Sequence, residues 1–354
     1  MIMTTDQQSP AVTEQLIRAV LPAANSRSFS VAVEAGIRYE ALWRRVLEAE
    51  AGIATALVGK KTRSEQRRRK EHDDARGLRP MVAVAPGTTG RGTPAVHWHE
   101  GGRGPALLLL NGWTASGLVW PLSWVAELEK SYRVIRIDNR GTGWSRCAPA
   151  PFTMADLADD AADVLRACGV EGATVLGLSM GGMIAQELAM RHPDLVDQLI
   201  LVGTRPPGPA QIDSDPTLLL GALRPPADGQ DTREYIAEMW TTFACPDFGP
   251  EHPDVIDELV TQIARRVTPR QRVLDQVRAI AGWHGPERLA NLAMPTTVVH
   301  GTEDPLMAVG NGMKLSRLIP DARYVELVGV GHLVPYEDGD ALLTIVRSGR
   351  SRTS

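Results

Sequence analysis

Seven short apolar runs, separated by longer stretches of helical period, constrain this chain more than any other feature. They are AVHWHE, ALLLLNG, YRVIRID, ATVLGLS, QLILVGT, TTVVHGT and RYVELVG, all after residue 93. Most are apolar without a break, as strands are when helices cover both faces of a parallel sheet. The alternation with amphipathic segments predicts an α/β fold built on a mostly parallel sheet. Between QLILVGT and TTVVHGT, residues 205–290 are too long for a loop and carry helical patterning with several prolines. Helices inserted there would lie over the crevice at the carboxyl ends of the strands, so the segment is assigned as a cap. The core is then residues 94–204 and 291–354.

Residues 1–93 read as an N-terminal helical extension and linker. Val33, Ile37, Leu42, Val46 and Leu47, with Tyr39 and Trp43, fall along one helix face. Local core packing accounts for that stripe; a homo-oligomer interface or a cover over the cap are the other readings. The run KKTRSEQRRRKEHDDAR that follows has no apolar face and reads as a solvated helix or linker. Across all 354 residues, 43% hydrophobic and 23% charged residues with a net charge of −4 describe an ordinary globular chain without a polyanion-binding signature. Nucleic acid is therefore not an expected partner. With no apolar run of membrane-spanning length and no leader-like start, the expectation is a cytoplasmic protein without a membrane partner. Cys147, Cys168 and Cys245 are too few and too scattered for a disulfide framework or a thiolate metal site.

One polar residue interrupts the pattern at an informative place. In GATVLGLSMGGMIAQELAM, Ser179 sits between an apolar strand and an amphipathic helix, as G-x-S-x-G. A serine there stands on a sharp turn at a strand end, with Gly177 and Gly181 leaving room where backbones come close and the Met180 amide pointing to the same space. A structural turn is the competing reading. A hydroxyl needs a base to become a nucleophile, and the base needs an acid to orient it. Among eight histidines, His332 in LVGVGHLVP follows a strand and would reach the same sheet edge. His72 lies in the charged run, His97 and His99 in an edge hairpin, and His192 at a helix end. His252 and His284 belong to the cap, and His300 precedes the acidic residues. The strand end TTVVHGTEDPL offers Glu303 and Asp304; Asp304, just before Pro305, is the assigned acid, against a solvated acidic turn. The order Ser, Asp, His along the chain favours it.

A tetrahedral oxyanion needs two donors. The Met180 amide is one, and the Trp113 amide, in LLLLNGWTASG directly after a buried strand, is the other. Trp113, Trp240, Phe243, Trp283, Leu306 and Leu333 are candidate substrate contacts, with packing between cap helices competing for the three cap aromatics.

These motifs resemble the α/β-hydrolase superfamily over about residues 94–346. NGW at 111–113 is similar to its HG-x oxyanion loop, DNRGTGWS at 138–145 to its D-x-R-G-x-G-x-S turn and GLSMGG at 177–182 to its nucleophile elbow. HGTEDPL and GVGH look like its acid and histidine loops. Asn111 departs from the histidine of many members, but the oxyanion donor is a backbone amide. Asp138 and Arg140 are read as holding their turn. Serine at the elbow separates the chain from branches with an aspartate nucleophile. The resemblance implies a serine hydrolase of a small carboxylic ester, thioester or lactone, similar to esterases, enol-lactone hydrolases and methylesterases, needing no metal or organic cofactor. A cofactor-free non-hydrolytic enzyme (acyl transfer, perhydrolysis or C–C cleavage) and a non-catalytic ligand-binding scaffold are the alternatives.

Overall fold

Leucine, valine and isoleucine fill the runs at 106–110, 133–137, 173–178 and 196–202, and nearly all of these side chains are buried. Each of the seven apolar runs is a strand: β1 (Trp98–Gly101), β2 (Ala106–Leu110), β3 (Arg133–Ile137), β4 (Ala173–Leu178), β5 (Val196–Val202), β6 (Thr296–Gly301) and β7 (Arg323–Leu327). The computed structural model describes residues 96–145, 150–213, 218, 221–223 and 226–348. The expectations for the N-terminal stripe, the basic run and Cys147 lie outside them. By internal contacts, residues 80–214 and 230–354 are grouped apart from the rest of the chain. Every element named here lies in that group.

The strands form one sheet in the order β1-β3-β2-β4-β5-β6-β7. All neighbours are parallel except β1, which runs antiparallel to β3 with Trp98 opposite Ile137. An edge hairpin around His97 and His99 is thus not what forms: β2 is flanked by β3 and β4, so β1 skips it and pairs with β3.

The helices are α1 (Leu122–Glu129), α2 (Met154–Ala167), α3 (Met180–Arg191), α4 (Thr232–Thr241), α5 (Phe248–Glu251), α6 (Pro253–Arg265), α7 (Arg270–Ala281), α8 (Gly310–Leu318), α9 (Val334–Glu337) and α10 (Gly339–Ser348). Strand alternation decides which residues meet them. Leu107, Leu109, Val134, Leu176, Leu178, Ile200 and Val202 share a cluster with Trp120, Trp124, Leu128 and Leu342, where α1 meets α10. Two bonds tie this layer together, Trp124 Nε1 donating to Gly339 O at 3.0 Å and Tyr132 Oη to Val346 O at 3.2 Å. The intervening residues, Leu108 and Leu110 among them, face the other side, where α3 packs on β2, β4, β5 and α2. Thr153 starts α2 with a reciprocal cap, its Oγ1 accepting from the Asp156 amide while Asp156 Oδ2 accepts from the Thr153 amide.

Between β5 and β6 the insertion carries α4 to α7. Helix α6 has its apolar residues on one face, and Ile256, Leu259 and Val260 are buried. Among the described residues no helix is long and apolar enough to cross a membrane. Because β2, β4, β5, β6 and β7 are parallel, the loops that follow them leave from one edge of the sheet.

Candidate active site

β4 ends at Leu178 and α3 begins at Met180, so one residue turns the chain. Ser179 makes that turn with φ 57° and ψ −120°, a left-handed backbone that costs a residue with a Cβ about 1–3 kcal/mol. Neighbouring strands hold it there. The Ser179 amide donates to Val202 O at 2.9 Å, and Thr204 Oγ1 donates to Ser179 O at 2.7 Å. The flanking glycines are required by contact: a Cβ on Gly177 would lie 2.3 Å from Gly181 O, and one on Gly181 would lie 1.9 Å from Leu110 O. Gly181→Ala is therefore expected to cost at least roughly 1–3 kcal/mol through overpacking between β2 and α3. Thermal unfolding checks this, and an unchanged midpoint would mean the elbow has slack.

Helix α3 has no side-chain cap. The Met180 amide, beside the serine at the positive end of the helix, donates to no protein group among the described residues. The loop after β2 meets it from the other side. A Cβ on Gly112 would lie 3.2 Å from Ser179 Cβ and 3.7 Å from Ser179 Oγ. Asn111 shapes this loop from within: its Nδ2 donates to Ser116 O and Val119 O, and its Oδ1 accepts from the Gly112 amide. Asn139 Nδ2 donates to Asn111 O at 3.1 Å. With the Gly112 amide taken, the next one, Trp113, is left without a protein acceptor among the described residues. Asp138 and Arg140 brace the neighbouring turn. Asp138 accepts from the Gly117 and Trp144 amides, and Arg140 makes a buried two-point pair with Asp160 at 2.5 and 2.9 Å.

Asp304 and His332 arrive from the ends of β6 and β7. His332 Nδ1 lies 2.7 Å from Asp304 Oδ2, and Asp304 Oδ1 accepts from the Leu306 and Met307 amides at 3.0 and 2.7 Å. Gly203, just past β5, sits against both, since a Cβ there would lie 3.3 Å from Asp304 Oδ2 and 3.3 Å from His332 Nδ1. Val202, the preceding residue, is the one that accepts from the Ser179 amide. Ser179 is thus tied to Val202, and Asp304 and His332 lie against Gly203, the next residue along. Among the described residues no hydrogen bond joins Ser179 Oγ to His332.

Burial by itself would raise the Asp304 carboxyl. The charge of His332 and hydrogen bonds from His300 and His332 outweigh it and hold the group at about 2. Its folded value lies below the ordinary carboxylate range near 4, so the stabilisation it contributes is complete above that range and is lost as pH falls through about 2. The acid limb of a kcat/KM profile measured above about pH 4 is therefore expected to follow one ionisation and not two; a limiting slope of two would contradict the permanent charge on Asp304.

The remaining candidates divide. Leu306 lends its amide to Asp304, and Leu333, buried beside His332, donates its own to Glu337 Oε1 at 2.8 Å. Trp240 and Phe243 are buried and pack edge to face at 5.8 Å, and Phe243 O accepts from the His332 amide at 2.9 Å. Trp283 is engaged elsewhere. Its Nε1 donates to Glu187 Oε2 at 3.1 Å, a carboxylate two turns along α3 that also binds Arg288.

Three residues that the motifs did not single out stand close by. His300 Nε2 donates to Met307 O at 2.9 Å and lies 3.4 Å from Asp304 Oδ2, so the acid has two histidine neighbours. The sequence places it at a strand end, four residues before Asp304. Glu337 Oε2 accepts from the Gly331 amide at 2.7 Å and the Cys245 amide at 2.9 Å, while its Oε1 takes the Leu333 amide; it thus grips the chain on both sides of His332. Gln276, on α7, bonds the loop that carries Trp113.

Comparison with known proteins bears on the fold and on the class of the chain. A family model described as the alpha/beta hydrolase fold matches residues 105–339. The pimeloyl-(acyl-carrier protein) methyl ester esterase of Vibrio atlanticus is 27% identical over 252 residues, covering 70% of this chain and 94% of that one. RutD of Azorhizobium caulinodans, which carries the name of a carbamate hydrolase, is 28% identical over 236 residues, 67% of this chain and 87% of that one. Among solved structures, the enol-lactonase of Burkholderia xenovorans superposes with a TM-score of 0.63 at 25% identity, over 73% of this chain and 96% of the other. The chain belongs to the α/β-hydrolase fold family and is a hydrolase.

Proposed function

We propose that this hydrolase cleaves a small carboxylic ester, thioester or lactone through an acyl-enzyme on Ser179. The observation that carries the reading is the 2.7 Å contact of His332 Nδ1 with buried Asp304, at the strand edge where strained Ser179 stands. That contact fixes the imidazole with Nε2 free to take a proton. In the first half-reaction Ser179 Oγ attacks the carbonyl carbon while its proton passes to His332. The oxyanion forms against the Trp113 and Met180 amides. Collapse breaks the bond to the leaving oxygen or sulfur, which receives the proton from His332. Water then attacks the acyl-enzyme with His332 again as base, releasing the acid and restoring Ser179. None of these steps requires a metal or an organic cofactor.

The relatives named above support the class, since a methyl ester, an enol-lactone and a carbamate each present a carbonyl bonded to a leaving heteroatom. A graded panel of p-nitrophenyl esters and lactones, with a fluorophosphonate probe and mass spectrometry of the Ser179 peptide, tests the reading. Turnover of panel members together with an adduct on Ser179 supports it. Absence of both would overturn it, and release of a transferred acyl product in place of the free acid would move the chain to the acyl-transfer alternative.

A further inference from the structure

We infer that the stretch of the insertion from Thr268 through α7 is part of the oxyanion machinery, with Gln276 as its positioning residue. The inference rests on the reading of Ser179 as nucleophile and the Trp113 amide as an oxyanion donor, and it deepens that reading.

Trp113 and Thr114 are bonded to this one stretch at three points. The Trp113 indole Nε1 donates to Val273 O at 3.2 Å, the Thr114 amide donates to Gln276 Oε1 at 2.9 Å, and Thr268 Oγ1 donates to Thr114 O at 2.7 Å. Both backbone groups of Thr114 are therefore held by the insertion. Thr114 needs holding, because its φ is 63°, a conformation that a β-branched residue adopts only when its surroundings impose it. Gln276 is fully buried and is itself fixed, its Nε2 donating to Arg140 O at 3.2 Å, while Arg140 is pinned to Asp160 of α2. The chain of contacts runs from α2 through Arg140 and Gln276 to Thr114. It ends one residue from the Trp113 amide. Release of Gln276 would let Thr114 relax toward negative φ, and that rotation would carry the adjacent amide off the point where the oxyanion forms. A glutamine does this without adding charge, because one amide group both accepts from the loop and donates to the anchor.

The test uses the full chain with p-nitrophenyl butyrate as substrate and an alkyl trifluoromethyl ketone as inhibitor. The ketone adds to the serine, places its oxygen on the oxyanion donors and so reports their aim separately from substrate binding. Gln276→Leu is expected to lower kcat roughly 10- to 100-fold with little change in KM, and to weaken the ketone by a matching factor. Adding Thr114→Asn, a residue that tolerates left-handed backbone, is expected to restore part of both losses. Thr268→Val, a smaller change that removes only the bond to Thr114 O, should move kcat and ketone affinity together in the same direction and serves if Gln276→Leu does not fold. Unchanged ketone affinity in both variants, or a rise in KM alone, overturns the inference. Ser179→Ala run in parallel separates the two claims: residual full activity there would sink the nucleophile assignment, whereas its loss with an intact Gln276 variant would sink only the role of the insertion.

Discussion

Ser179→Ala is expected to lower kcat on the order of 10⁶-fold, the scale at which a triad nucleophile acts with its base as one unit. In the proposed mechanism the Oγ is the atom that would form the acyl-enzyme, so no rearrangement of the neighbours could compensate for its removal. What remains is binding and the oxyanion donors, which alone leave a residual rate above that of water. The substitution should not unfold the protein, because the bonds that fix residue 179 belong to its backbone, the amide to Val202 O and the carbonyl to Thr204 Oγ1. Alanine keeps the strained φ of the turn but also keeps those bonds. The measurement is kcat against any ester the wild type turns over, with fluorophosphonate labelling as a second readout. Labelling of the alanine variant at the wild-type rate would place the nucleophile elsewhere.

Asp304→Asn is expected to cost roughly 10⁴-fold in kcat with the fold retained. The reason lies in how the carboxylate is already committed. One oxygen accepts from the Leu306 and Met307 amides, so an asparagine must put its carbonyl oxygen there and turn its NH₂ toward His332. That NH₂ can only donate, which forces His332 Nδ1 to accept and leaves the proton on Nε2, where a base for Ser179 is needed. The same NH₂ would also face His300 Nε2, which already donates to Met307 O. The loss should therefore exceed what a missing charge alone would produce. Circular dichroism and thermal melting would establish that the loop still folds, and a fall in kcat of less than about a hundredfold would remove Asp304 from this role.

The sheet was largely legible in the sequence because most of its strands are buried on both faces and read as apolar runs. LLLL at 107–110 is the plainest case, all four side chains having no exposure. Boundaries were less legible: β1 starts at Trp98, three residues later than the run suggested, and β5 begins at Val196, two residues earlier. Both displaced ends mix polar with apolar residues, so the pattern there does not say where pairing begins. The loops of the candidate site were legible for a different reason. Parallel strands deliver their carboxyl ends to one edge, so a serine, an acid and a histidine placed after three strands must approach one another. Gln276 was not legible, because its partners are set by tertiary contact, and His300 and Glu337 were not, because they bond irregular loops whose path the local sequence does not show. Thr114 and Gln276 are 162 residues apart, and nothing in either local sequence announces the other. Trp283 illustrates the converse. An aromatic residue in the insertion reads as a pocket wall, yet its polar edge is spent on Glu187, a buried carboxylate that needed a donor.

The grip of Glu337 bears on how such a hydrolase can diversify. Where it reaches across to the insertion it holds the Cys245 backbone amide, and the His332 amide likewise rests on a backbone oxygen, that of Phe243. Neither bond depends on which side chain the insertion carries at those positions. The seam beside the histidine can therefore tolerate wholesale exchange of the aromatic and aliphatic residues above it, provided the chain keeps its path through 243–245. A chimaera carrying a foreign insertion should keep its histidine loop in place if it preserves that path, and should hold it less firmly if a proline is brought to position 245, which removes the amide hydrogen that Glu337 accepts.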